Sequence, residues 1–222
     1  MRGVEPAWRR PTRGEHRWPA SLAVLAVVGL QLTLPDDLIG VTQWLMPGVE
    51  LALFAVLLVA NPGRIERDSS VLRAVSLGLI GVISVANAWS VALLVDWLIT
   101  GSGGQDAATL LRSGAAIWLT NVIAFALCYW ELDRGGPAAR SAGEQDLPDF
   151  QFVQMSDPSL APADWEPRFA DYLYLSFTNS TAFSPTDVMP LSRWAKLAMM
   201  LQSAVSLVTV ALVIARAVNV LK

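Results

Sequence analysis

The run VLRAVSLGLIGVISVANAWSVALLVDWLI, residues 71–99, decides the class of this protein. Between Arg73 and Asp96 it carries no charge, and a helix needs about 20 apolar residues, at about 1.5 Å each, to cross a hydrocarbon core of about 30 Å. The stretch is long enough to tilt in a bilayer or to extend beyond it. Composition agrees, since 54% of the 222 residues are hydrophobic and 16% charged, against about 45–50% and about 25% in soluble domains. That excess sits in continuous runs, which argues against a soluble core.

Working towards the N-terminus, residues 42–60 form a second helix closed by Asn61-Pro62-Gly63, with the charged segment RIERDSSVLR between it and the long run. Residues 18–34 form a first helix that ends at Pro35-Asp36-Asp37; lacking a small-x-small cleavage site, it reads as retained rather than as a signal peptide. Ahead of it, residues 1–17 carry Arg2, Arg9, Arg10, Arg13 and Arg17 and two prolines. This tail reads as too polar to pack and as placed to meet anionic lipid heads.

Towards the C-terminus, Gly101-Ser102-Gly103-Gly104 ends the long run, and a fourth helix over 107–131 finishes in Cys128-Tyr129-Trp130-Glu131, an aromatic belt meeting the first charge. Residues 18–131 are therefore expected to be four transmembrane helices. Residues 132–163, rich in Gly, Pro, Ala, Asp and Glu, read as a solvated polar loop. In residues 164–222 the pattern changes: Asp164 is a candidate N-cap and Pro167 suits a first helical turn, but the apolar part runs only from Phe169 to Phe177. That is below a full span, so a re-entrant half-helix is predicted, followed by a last helix over 191–220 with Arg216 able to snorkel. The expected fold is an all-α membrane protein with about five transmembrane helices and a re-entrant, pore-like half-helix before the last one.

Basic residues orient this arrangement. With a cytoplasmic N-terminus, the tail arginines, Arg64, Arg67, Arg73, Arg134, Arg140, Arg168, Arg193 and Lys196 lie inside, leaving Arg112, Arg216 and Lys222 outside. The expectation is a multi-pass protein of the cell (inner) membrane with an external C-terminus.

Several classes of function are disfavoured. A net charge of -3 with dispersed basic residues argues against nucleic acid. Cys128 and His16 are the only residues of their kinds, so neither a metal centre nor a His-based catalytic pair has a second member. No catalytic triad or phosphate loop is present, so no enzymatic activity, cofactor or metal is expected. The nine tryptophans fall mostly near predicted helix ends, as interface anchors.

Two places carry candidate chemistry. Glu50 falls near the middle of the second helix, where an ionised carboxylate costs about 2.5–3.5 kcal/mol on insertion scales unless paired or protonated. It reads either as a functional acid or as a neutral group bonded to Asn87 or Gln43. The second place is Thr178-Asn179-Ser180-Thr181-Ala182-Phe183-Ser184, followed by Asp187. The hydroxyls and amide either line an ion path or satisfy backbone at the end of the half-helix, and Asp187 is either a mouth carboxylate or a cap of the last helix. Asp96, Asn121 and Trp89 read as packing or interface groups.

The residues from Thr181 to Pro190 resemble the potassium-channel run T-T-V-G-Y-G-D-x-x-P at Thr181, Asp187 and Pro190. Ala195-Lys196 fall where such channels often have Gly-Arg, and LAMMLQSAVSLVTVALVIARAV looks like their inner helix. The resemblance covers roughly residues 165–220. It implies a homotetramer, because one chain supplies a quarter of a filter, with monovalent cations as cargo and the lipid bilayer as surroundings. In such filters carbonyl oxygens replace the hydration shell and glycines permit the backbone angles. Here Ser184 and Thr186 stand at the glycine places and Pro185 at the tyrosine place, so a wider, non-potassium-type path is expected, lined by Thr178, Asn179, Ser180, Thr181 and Ser184. Four preceding helices would bring the loop in from the cytoplasm, inverted as in glutamate-receptor channels.

Upstream, the aromatic half-helix Tyr172 to Thr178 looks like the pore helix of those channels. The whole chain also resembles an uncharacterised family of bacterial inner-membrane proteins, on its four helices, its loop, a PDYLDFAYF-SFT-like segment, a Ser-Asp or Thr-Asp pair and the final helix. That resemblance implies the five-helix fold and no activity. Beside the cation channel stand two alternatives: a proton-coupled transporter using Glu50, and a non-conducting scaffold or subunit.

Overall fold

A computed structural model describes residues 6–39, 44–65, 69–100, 106–144, 147–181 and 187–220 of the chain. Apolar runs become helices where nothing interrupts them: α1 (Trp18–Gln31), the short α2 (Asp36–Ile39), α3 (Leu45–Ala60), α4 (Ser70–Thr100) and α5 (Ala107–Leu132). Then follow the short α6 (Pro137–Ala142), β1 (Phe150–Phe152), α7 (Val153–Ser156), α8 (Phe169–Thr181), β2 (Val188–Pro190) and α9 (Arg193–Val220). Asp106 starts α5 by accepting hydrogen bonds from the backbone N–H of Ala108 and Thr109.

Three helical stretches, within 70–100, 107–142 and 193–218, are long and apolar enough to cross a membrane. Helices α1 and α3 are apolar but have only 14 and 16 residues, or about 21 and 24 Å of rise. The outward faces of the long helices are hydrophobic: Val71, Val85, Leu197, Met200, Leu207 and Ile214 are all exposed. The protein is thus predominantly helical with an apolar exterior, as a bilayer requires.

Helix α5 is the axis of the fold, touching α1, α4, α8 and α9. It meets α9 closely at Gly114, where a built Cβ would lie 2.6 Å from a Val213 methyl, so only hydrogen fits between the helices.

Two expectations fail at the polar end of the molecule. The tail was expected to be too polar to pack and residues 132–163 to be solvated, yet Trp8, Glu15, Arg17, Asp133, Arg134, Arg140, Phe150 and Phe152 are all buried. The reason is mutual satisfaction. Arg134 donates to the Trp8 carbonyl and its guanidinium lies 5.6 Å from the centre of the Trp8 ring. Arg140 donates to the carbonyls of Trp130 (2.6 Å) and Asp133 (2.8 Å), closing the end of α5. The turn that permits this uses positive φ at Arg134, Gly135 and Gly136; at Gly136 (φ 100°) a Cβ would come 3.0 Å from the Glu131 carbonyl. The tail is also stitched to the loop after α3, where His16 pairs with Arg64 and the Arg64 guanidinium donates to the Arg13 and Gly14 carbonyls. Likewise Tyr129 and Trp130, expected in an interface belt, are buried in protein, because Gln202 and Glu15 take their polar hydrogens.

Candidate functional site

Helix α8 has 13 residues, about 20 Å, and lies antiparallel to α5. Tyr172 meets Asp133 at the end of α5, Ser176 meets Val122, and Phe177 stacks edge-on against Trp118. Both ends of the segment 169–190 are held by one platform. At its start, the Phe169 N–H donates to Glu15 (2.7 Å) and Tyr172 donates to Asp133 (2.5 Å). At its finish, β2 pairs antiparallel with β1, and the Phe152 ring of β1 lies 5.5 Å from that of Tyr172. The Trp194 indole then donates to Asp149, whose own N–H donates to Asp133. The segment therefore leaves the platform as α8 and returns to it as β2.

Charges in the platform are set by burial. Glu15 is pushed above the ordinary carboxylate value by desolvation, partly countered by its bonds from Phe169 and Trp130. Desolvation lowers the Arg134 guanidinium, with Asp133 beside it acting the other way.

The pore-like residues divide between two faces. Thr181 is exposed with Tyr174 and Phe177, and Thr178 is half-buried beside them, their hydroxyls bonded back to α8 carbonyls. Asn179 and Ser180, expected to line a path, instead point inwards and are 2% exposed. Asn179 donates to the Met199 carbonyl and to Gln202, and Ser180 accepts from Gln202. Helical geometry forces this division, because positions 179 and 180 are rotated away from the 174–177–178–181 stripe. Asp187 is exposed beside β2. Ala182, Phe183 and Ser184, with Pro185 and Thr186, lie outside the described residues.

Gln202 of α9, 0% exposed, is the hub of this arrangement. Its carbonyl oxygen accepts from Tyr129 (2.6 Å) and Asn179 (2.8 Å), and its amide nitrogen donates to Ser176 (2.6 Å) and Ser180 (2.8 Å). Farther along, Asn121 donates to Ser206 (3.2 Å) and accepts from Asn87 (3.3 Å). Behind the end of α8 a groove of about 460 Å³ is lined by Trp118, Ser180, Thr181, Thr209 and Val213. Sequence reasoning missed Gln202. Its signal was the polar stripe Gln202, Ser206, Thr209 at helical spacing in an otherwise apolar helix.

Glu50 is fully buried and accepts a hydrogen bond from Gln31 (2.9 Å) on α1. The partners considered for it differ: Asn87 bonds Asn121 instead, and Gln43 lies outside the described residues. Among the described residues no group of three or more His, Cys, Asp or Glu side chains is arranged to hold a metal ion. No family model, curated protein or solved structure matches the chain, so its own geometry must carry the functional reading.

Proposed function

We propose that this is a cation-channel-like protein of the cell (inner) membrane, a homotetramer in which each chain contributes the segment that begins with α8 to a shared path. The observation that carries this reading is a helix too short to span, wedged between two long apolar helices, with both ends of its segment tied to the same polar platform. A backbone that enters a bilayer and returns is tolerated only where protein or a water-filled cavity covers it. Helices α1 and α3 complete five spans, their shortness met by local thinning of the bilayer and by flanking residues.

Selectivity for potassium is weak in this reading, because Pro185 fixes its own φ and disfavours helical angles at Ser184. The exposed Thr181 and the half-buried Thr178 beside it line the path, whereas Asn179 and Ser180 hold α8 in place. Purified protein in planar bilayers under opposed potassium and sodium gradients tests this. A reversal potential well short of the potassium equilibrium value is expected. A value close to it would refute the weak selectivity, and silence at all voltages from a monomer would support a scaffold instead.

A second reading, a proton-coupled transporter, is favoured by the buried Glu50–Gln31 pair. In that case Glu50→Gln abolishes proton-linked flux while leaving folding intact.

A further inference from the structure

Where α1 and α4 begin and α3 and α5 end, a pocket of about 40 Å³ is walled by Arg17, Asn61, Ser69, Arg73, Ser76 and Glu131. Such a volume has room for about three water-sized groups, the scale of one tetrahedral oxyanion. Helix α4 starts here and α5 finishes here, and both are long and apolar enough to cross a membrane, so the pocket sits at the level of the lipid headgroups. The adjoining Trp18 is exposed, as an anchor at that interface is.

Arg17 is the group that asks for a ligand. It is 9% exposed and its backbone N–H donates to the Gly63 carbonyl, but among the described residues its guanidinium makes neither a hydrogen bond nor an ion pair. Desolvation lowers its pKa, and Glu131 in the same wall acts the other way without reaching ion-pair distance. A buried cation without a contact partner is costly. The wall carries two positive charges, on Arg17 and Arg73, against one negative charge, on Glu131. That excess asks for a monoanion and disfavours a cation. The start of α4 adds N–H groups that no helical carbonyl takes, since its bonding begins with the Arg73 N–H and the Ser69 carbonyl. Guanidinium and backbone N–H groups together are the donors that recognise phosphate oxygens.

We infer that this pocket binds a singly charged phosphate group, which the phosphodiester of a phospholipid headgroup supplies from the bilayer and inorganic phosphate supplies from solution. Basic pockets between membrane helices are places where lipid headgroups dock. Arg17 and Arg73 hold the phosphate oxygens, and Glu131 repels a second negative charge. The site shares no residue with α8 or with Glu50 and rests on neither functional reading, so a chain that conducts nothing still shows whether it binds phosphate here.

The experiment is thermal unfolding of the purified full chain in a neutral detergent. Micelles carrying phosphatidylglycerol are compared with micelles carrying diacylglycerol, and sodium phosphate with sodium chloride at constant ionic strength. Phosphatidylglycerol should raise the melting temperature saturably, by about 3–6 °C at ten times its Kd, and diacylglycerol should not. A rise with phosphatidylglycerol alone assigns the site to headgroups, and an equal rise with sodium phosphate assigns it to the soluble anion. Arg17→Gln and Arg73→Gln should each move the midpoint to at least about tenfold higher ligand, the loss expected for one charge-assisted contact. Arg112→Gln, exposed at the other end of α5, should leave it unchanged. Arg73 is exposed, so Arg73→Gln keeps the test decisive if Arg17→Gln does not fold. Melting temperatures that neither phosphate source raises, a rise that diacylglycerol matches, or one that survives Arg73→Gln as fully as Arg112→Gln would overturn the site.

Discussion

Replacing Gln202 by leucine removes the hub that holds α8 between α5 and α9 while nearly preserving side-chain volume. Four bonds between side chains disappear, to Tyr129, Asn179, Ser176 and Ser180. Ser176 keeps its bond to the Val122 carbonyl and Asn179 its bond to the Met199 carbonyl, whereas the buried Tyr129 and Ser180 hydroxyls lose the partner that Gln202 supplies. Polar contacts between membrane helices average about 0.6 kcal/mol each and reach about 1.7. Gln202→Leu should therefore destabilise the protein by about 2 kcal/mol, measured by denaturant or thermal unfolding in micelles. A double-mutant cycle with Asn179→Leu isolates one bond and should give a coupling of about 0.6–1.7 kcal/mol. A Gln202→Leu effect below about 0.5 kcal/mol, the range of inconsequential surface changes, with additive double mutants, would refute the idea that this network positions α8.

Three other outcomes follow from the same geometry. Gly114→Val should destabilise by about 1–3 kcal/mol, since the close approach to Val213 leaves no room for even a Cβ; unchanged unfolding would contradict the α5–α9 contact. Glu15 has a folded-state pKa raised above its ordinary 4.5 by burial, so the folded state binds its proton more tightly. Its contribution should be most favourable below that value, fall as pH rises to the folded pKa and level off above, and Glu15→Gln should flatten that part of the pH–stability curve. Topologically, the tail and residues 132–163 should be labelled from one side of the membrane only, the cytoplasmic one. Modification of single cysteines in both segments by an impermeant reagent in intact cells would invert the orientation, and modification of only one would separate segments that Arg134 joins to Trp8.

The parts of the fold that were legible in the sequence are those where one physical effect dominates. Uninterrupted apolar length gave away α4, α5 and α9, and the shortness of the stretch from Phe169 to Phe177 announced a helix unlike the others. Burial of charge was not legible, because it depends on partners far apart in the chain. Nothing near Arg134 in sequence announces Trp8, and nothing near Glu15 announces the Phe169 N–H. Glu50 stood out as an acid in an apolar helix, but its partner is Gln31, across a helix interface that no local pattern encodes. The pore-like residues were legible as a polar cluster and not as two faces. Separating Thr178 and Thr181 from Asn179 and Ser180 requires knowing which side of α8 meets Gln202.

A shared path requires the open face of α8 to meet its copies in an oligomer. Thr181→Cys in a Cys128→Ser background leaves one thiol, on that face and at the end of the half-helix. A disulfide requires Cβ atoms about 3.5–4.5 Å apart, so mild oxidation in native membranes traps only chains whose α8 ends converge. We expect rapid formation of covalent dimers from Thr181→Cys and none from Leu207→Cys on the outward face of α9. Thr181→Cys chains that remain monomeric under oxidation, or Leu207→Cys chains that cross-link as fast, would contradict a path built from α8.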